Sequence, residues 1–324
     1  MRSNSAAKHQ ITALTYILSL LSIILWGMSY IWSNSLLSKG IPVEYIVFVR
    51  ILLAGIVLLV LNAFTGKKMA IQKNDLPRFL LLALFEPLIY FICETYGIRL
   101  TESPTYSSMI IASSPIFSVA AGVMLFKEKI SLLNMAGILI CIGGIIMVTL
   151  CAGTVGSAFW LGMALLLIAV LAEVGHATFT KCLSSRYEPT VIVMYQFLFG
   201  SIYLFPLFAS RGLADFNAEI YMSWDVWNPI LCLAVLCSSI AFSLWANTIK
   251  MLGVAKSSIF LATIPVFTAI AGWILGHEYL TKLQWTGILF SCIGVFLSQH
   301  AAKRPLFAKH KPSAGSANVV AEER

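Results

Sequence analysis

Charge is what this sequence has least of. Only 11% of its 324 residues are Asp, Glu, Lys or Arg, against 59% that are hydrophobic. A water-soluble domain carries roughly 25% charged residues, so this chain cannot cover a water-facing surface and reads as an integral membrane protein. Acidic residues are scarce, 14 against 22 basic ones, and no aspartate falls within the core of an apolar segment. The sequence also lacks H-E-x-x-H and G-x-S-x-G. Nothing sets a nucleophile beside a base, so the chain does not read as an enzyme. Cysteine-rich polar loops are missing too. Cys93, Cys141, Cys151, Cys182, Cys232, Cys237 and Cys292 all lie in or at the ends of apolar segments, without metal-ligand spacing. They read as small apolar packers, and the sequence calls for no metal and no cofactor.

What is there is apolar length. A helix needs about 20 apolar residues to cross the hydrocarbon layer. Polar punctuation cuts the chain into ten candidate spans: 13–37, 43–64, 77–100, 104–126, 131–151, 157–182, 190–209, 227–250, 254–276 and 281–299. The first is too long for a signal-peptide core and lacks a small-residue cleavage site, so it is expected to stay as an anchor. Residues 1–12 then form a cytoplasmic N-terminus, and the polar tail 300–324 is expected to be disordered. A cytoplasmic N-terminus puts 17 Lys and Arg residues on that side and 4 on the other, a strong positive-inside bias. Both termini are therefore expected in the cytoplasm. The +8 net charge belongs to loops facing anionic lipid, and no nucleic acid is invoked.

One half is written twice. SSMIIASSPIFSVAAGVMLFKEKISLLNMAGILICIGG (107–144) aligns with SSIFLATIPVFTAIAGWILGHEYLTKLQWTGILFSCIG (257–294) at a constant offset of 150, with 14 of 38 positions identical. Pro115 pairs with Pro265, Glu128 with Glu278 and Gly137 with Gly287. Upstream, an offset of 146 sets Arg50 against Gln196 and Tyr30 against His176. Each half, 13–151 and 157–299, holds five spans. An odd number turns the second copy upside down in the membrane, the arrangement of secondary transporters with a site between the halves. The expected fold is thus all-α and integral to the membrane, with ten transmembrane helices forming two inverted five-helix repeats around a central cavity.

The chain also resembles the drug/metabolite transporter superfamily, EamA type. The likeness rests on LWGMSY in the first span, on FVRILLAG (48–55) with its counterpart YQFLFGS (195–201), and on the two copies of the P-x-F … E … G-I-L pattern. It covers about residues 14 to 299. The resemblance implies a ten-helix carrier in which helices one to four and six to nine line the cavity. It also implies an exporter of small metabolites such as amino acids, in a plasma membrane (the inner membrane of a bacterium), as a monomer or weak homodimer. Span three departs from the mostly apolar third helix of such carriers, and its repeat mate carries Leu236 and Leu244 instead.

That departure marks the candidate site. Glu86, Tyr90 and Glu94 are spaced four apart and share one stripe of a helix. A charge at a helix centre costs about 2.5–3.5 kcal/mol on the insertion scale, so two carboxylates here point to a wet pathway. Arg50 lies roughly 10 Å inside the outer end of span two, level with Glu94, and an Arg50–Glu94 pair is expected. Glu86 and Glu173 both lie roughly 13 Å deep, and His176 follows Glu173 by one turn. Desolvation disfavours a charged carboxyl and histidine titrates near neutrality, so these three are candidate carriers of a coupling proton.

Pro87 should kink span three, and Pro115 and Pro265 should act alike at matching places. Trp26, Tyr30 and Asn34 follow i, i+4, i+8 along span one, Gln196 is the repeat mate of Arg50, and Trp245 and Asn247 face them from span eight. Such an aromatic, acid-rich cavity suits an amphipathic solute whose ammonium sits on carboxylates or ring faces. Glu128 and Glu278, just before Ser131 and Thr281, are expected to cap the helices that begin there. The reading is a secondary active exporter working by alternating access. The alternative, an antiporter of phosphorylated solutes or nucleotide sugars, needs several deep cations, and only Arg50 lies deep, with Lys181 and Lys250 near the cytoplasmic ends.

Overall fold

Lipid offers the backbone no hydrogen bonds, so a chain this apolar must satisfy its N–H and C=O groups internally. The computed structural model describes residues 2–117, 132–150, 156–213, 218–276 and 278–300. Among them there is no strand. The helices are α1 (Arg2–Ser38), α2 (Val43–Phe64), α3 (Leu76–Ala83), α4 (Tyr90–Thr101), α5 (Pro104–Ile111), α6 (Leu132–Leu150) and α7 (Ser157–Leu183). They continue with α8 (Pro189–Leu207), then, after a single helical turn at Ala218–Tyr221, α9 (Trp224–Leu231), α10 (Ala241–Leu252), α11 (Val254–Leu261), α12 (Ile264–Ile274) and α13 (Lys282–His300). Six stretches are long and apolar enough to cross a membrane: Leu14–Ser38, Val43–Phe64, Lys73–Thr101, Ser157–Leu183, Pro189–Gly212 and Trp224–Leu252. Met135–Val148, Ile264–Ile274 and Lys282–Ser298 are apolar but shorter.

The distribution of polarity is inverted relative to a water-soluble protein. Leu61, Ile202, Phe205 and Ile274 point outward, whereas Arg50, Glu86 and Glu94 are 2%, 1% and 5% exposed. The outward apolar faces are what lipid requires, and the charges are gathered inside.

Each half packs against the other. α2 lies along α8, α4 along α7, α1 along α10 and α12, and α5 on α7 and α12. The longest contact joins α6 to α13, and glycine explains its closeness. A Cβ on Gly137 would overlap the backbone of Gly294 and Ser298, and one on Gly294 would overlap that of Gly137 and Cys141. Small residues let two helices approach to backbone contact, the usual basis of helix association in lipid.

The helices are interrupted at the three prolines singled out in the sequence, and at places the sequence did not announce. Turns at 112–113 and 262–263 sit just ahead of Pro115 and Pro265, again 150 residues apart. Between α3 and α4 the chain runs as a π-helical segment, Leu84–Ile89, in which Glu86 is extended (φ −147°, ψ 119°). There are two further π-helical segments: Phe208–Gly212 follows α8, and Cys232–Ile240 separates α9 from α10.

Polar contacts tie the two halves at the helix ends. Asp75, fully buried, accepts from Arg78 at 2.6 Å and from Arg186 and Tyr187 at 3.0 Å. Elsewhere Lys39 Nζ donates to the Asp225 carbonyl at 2.7 Å. The expected role of Glu278 needs correction. It does not cap its own following helix but reaches the start of α5, accepting from Ser103 Oγ at 2.7 Å, Thr105 N at 3.2 Å and Thr105 Oγ1. The helix that follows it is served instead by Thr281 and Gln284, which cap each other reciprocally. Glu128 lies outside the described residues.

Candidate functional site

The break at Glu86 positions the first group of side chains. Pro87 supplies no N–H and clashes with the preceding turn, so the helix cannot pass through it unbroken. Two glycines make room: the Pro87 ring fills the space a Cβ on Gly200 would take, and the Phe85 ring does the same at Gly175. Turned out of the helix, Glu86 reaches across to α7, where its Oε2 lies 2.9 Å from His176 Nδ1. Glu173 Oε2 approaches the same nitrogen at 3.3 Å, and His176 Nε2 lies 3.2 Å from Thr180 Oγ1. The three residues expected to act together, Glu86, Glu173 and His176, are therefore in contact. The Glu86 contact is close in distance but not an aligned hydrogen bond, for Oε2 has no hydrogen-bond partner in the protein.

The second group lies further along the same spans. Tyr90 donates to Glu94 Oε1 at 2.9 Å, and Tyr30 is near enough to interact with both. Arg50 Nε donates to Ser238 Oγ at 2.8 Å, and its guanidinium carbon sits 4.2 Å above the Phe91 ring, a cation–π contact. Its ion pairing differs from expectation. No Arg50–Glu94 ion pair within 4.0 Å forms among the described residues, because Ser238 and Phe91 hold the guanidinium while Tyr90 holds the carboxylate. The two opposite charges thus face each other across one space without a direct contact.

That space is a small cavity between the halves, with only about 20 Å³ open to the centre of a water molecule. Trp26, Tyr30, Arg50, Glu86, Tyr90, Glu94 and Glu173 line it, and Phe91, Ile111, Phe242, Leu261 and Ile264 complete the wall. Trp26 is fixed by Nε1 donating to the Cys237 carbonyl at 3.1 Å and packs edge-on against Phe242 and Trp245. Trp245 faces a smaller neighbouring cavity that shares Glu173 and Leu261 with the first.

Three expected residues lie elsewhere. Asn34 is eight residues beyond Trp26, about 12 Å along the helix, and clears the cavity. Asn247 follows Trp245 by two positions and so points to another side of α10. Gln196 is fully buried with both amide atoms unbonded to protein, and does not line the cavity. Ser238, Phe91, Phe242 and Thr180 were missed. A paired Ser238–Ser239 in an apolar span and Thr180 one turn beyond His176 were the available signals.

Comparison with known proteins fits this architecture. Residues 13–150 and 160–299 each match the EamA-like transporter family. The uncharacterized transporter YetK of Bacillus subtilis is 26% identical over 278 residues, covering 84% of this chain and 83% of its own. An uncharacterized transporter of Archaeoglobus fulgidus is 25% identical, over 87% of this chain and 97% of its own. The uncharacterized inner membrane transporter YicL of Salmonella typhimurium is 24% identical over 88% and 95%. A crystal structure aligns with a TM-score of 0.67 over 90% of this chain and 99% of that one; at 13% identity the likeness concerns the fold. With both halves matched across nearly the whole apolar length, the chain is a multi-pass membrane protein that belongs to the EamA-like transporter family.

Proposed function

We propose that the protein is a secondary active transporter that exports zwitterionic metabolites such as amino acids by alternating access between two inverted five-helix halves. The observation that carries this reading is the unpaired couple, Arg50 and Glu94, facing one cavity. A solute with a carboxylate and an ammonium completes both charges at once, its carboxylate on the Arg50 fork and its ammonium on Glu94 and the aromatic wall. Phosphorylated solutes fit less well, since Arg50 is the one lining cation among the described residues, against three carboxylates.

The reciprocity of the packing supports the inverted halves. Span one meets spans eight and nine, as span six meets spans three and four, while α2 with α8 and α6 with α13 pair equivalent elements. A cavity with 20 Å³ for water centres holds about one or two waters, so solute entry requires the halves to part at one end. The interrupted segments Leu84–Ile89 and Cys232–Ile240, in equivalent spans, are suited to that bending.

The test is export of a panel of amino acids and their decarboxylated amines from cells or proteoliposomes. Arg50→Gln should weaken amino-acid export about 30-fold or more, the loss expected on truncating one side of a buried charge pair, while sparing the amines. Glu94→Gln should impair both. Amino-acid export at the parental rate in Arg50→Gln would overturn the assignment.

A further inference from the structure

The group at Glu86 has a composition and shape that the solute clamp does not explain. Glu86 Oε2, Glu173 Oε2 and His176 Nδ1 converge, with 2.9 Å and 3.3 Å from the nitrogen to the two oxygens and every ligand atom within 4.8 Å of the others. Glu86 and His176 are buried and Glu173 nearly so, and Glu86, at 1% exposure, aims an oxygen without a hydrogen-bond partner into the cluster. His176 Nε2 lies 3.2 Å from Thr180 Oγ1; in the tautomer in which Nε2–H is the donor there, the Nδ1 lone pair faces two carboxylate oxygens. In that tautomer three acceptors meet, a costly arrangement in a buried place that a cation between them relieves.

We propose that Glu86, Glu173 and His176 form a seat for a divalent first-row transition-metal ion of the zinc, cobalt or manganese type. The charge balances, because two carboxylates and a neutral imidazole carry two negative charges. A proton on Nδ1 would leave one negative charge over. The size fits as well. Metal bonds of about 2.0–2.2 Å in a tetrahedral site set neighbouring ligand atoms about 3.3–3.6 Å apart. The Glu173 contact already has that spacing, and the Glu86 contact is about half an ångström short of it.

Thr180 holds the far ring nitrogen, the outer hydrogen bond that fixes ring orientation and tautomer in histidine metal sites. Both carboxylates also line the cavity, so the fourth position of the ion opens towards water or solute. This inference goes beyond the exporter reading and uses residues other than the Arg50–Glu94 clamp.

The experiment is equilibrium titration of the purified, tag-free full chain with Co²⁺, read by its visible absorption and by metal content. One Co²⁺ per chain is expected, displaceable by Zn²⁺. His176→Ala and Glu173→Gln should each lose that equivalent, and Thr180→Val should bind roughly 10–100-fold more weakly. The other four histidines, His9, His277, His300 and His310, make the His176→Ala comparison decisive against adventitious binding. Should that variant fail to fold by circular dichroism, Glu173→Gln and Thr180→Val decide in its place. Glu94→Gln should bind Co²⁺ as the parent does even though the exporter reading has it losing transport, so the two ideas fail separately. Parental protein that takes up no more Co²⁺ than the folded His176→Ala or Glu173→Gln variant overturns the metal seat.

Discussion

Tyr90 and Glu94 offer the cleanest single contact in the site, a 2.9 Å hydrogen bond between residues 8% and 5% exposed. Tyr90→Phe keeps the ring and removes the donor. A hydrogen bond to a charged group contributes about 1.5–3 kcal/mol, so the variant should unfold at a lower temperature by roughly that stability, read as a thermal midpoint in detergent. An unchanged midpoint would mean that Tyr30 takes over the carboxylate. Residue by residue, the sequence was informative about depth and silent about direction. Counting turns placed Glu86 and Glu173 at one depth with His176 one turn along the same face, and the His176 ring meets both carboxylates. The same counting placed Arg50 beside Glu94, yet Arg50 turns to Ser238, 188 residues away on the other half. Equal depth is a local property, whereas the rotation of one helix against another depends on packing that no single span contains.

The elements show the same division. Proline at a fixed offset foretold interruptions in both halves, because a missing N–H acts wherever the chain goes. The π-helical stretch Cys232–Ile240 has no proline within it, and nothing local announced it. Glu278 was misjudged for a related reason: its partners at 103–105 come from the opposite half.

Among element contacts, α6 with α13 makes the sharpest prediction. Gly143 in α6 has no neighbour within 4 Å of an added Cβ, whereas a Cβ on Gly294 would overlap α6 backbone. Gly143→Ala should therefore be neutral or stabilising by up to about 1 kcal/mol. Gly294→Ala should cost about 1–3 kcal/mol, the range for overpacking. Equal effects of the two in thermal unfolding would show that α6 and α13 do not meet through their glycine faces.

At the scale of the whole molecule, the central claim is that one half is an upside-down copy of the other. It can be tested without knowing any substrate. α2 has 22 residues, about 33 Å at 1.5 Å each, enough to cross a hydrocarbon layer of about 30 Å. Lys39 before it and Lys68 after it should thus lie on opposite faces, and the excess of basic residues predicts the cytoplasmic face for Lys68. Lys39 and Ser185 occupy equivalent places under the 146-residue offset, and both are exposed. A parallel duplication would set them on the same side, and an inverted one on opposite sides. With native cysteines replaced, Lys39→Cys should react with a membrane-impermeant maleimide in intact cells. Ser185→Cys and Lys68→Cys should react only in inverted vesicles. The expected contrast is all-or-none, because each pair is separated by a full membrane thickness. If positions 39 and 185 were labelled from the same side, the two halves would run parallel. The cavity lined by Arg50, Glu86 and Glu94 would then have no reason to open to each side in turn.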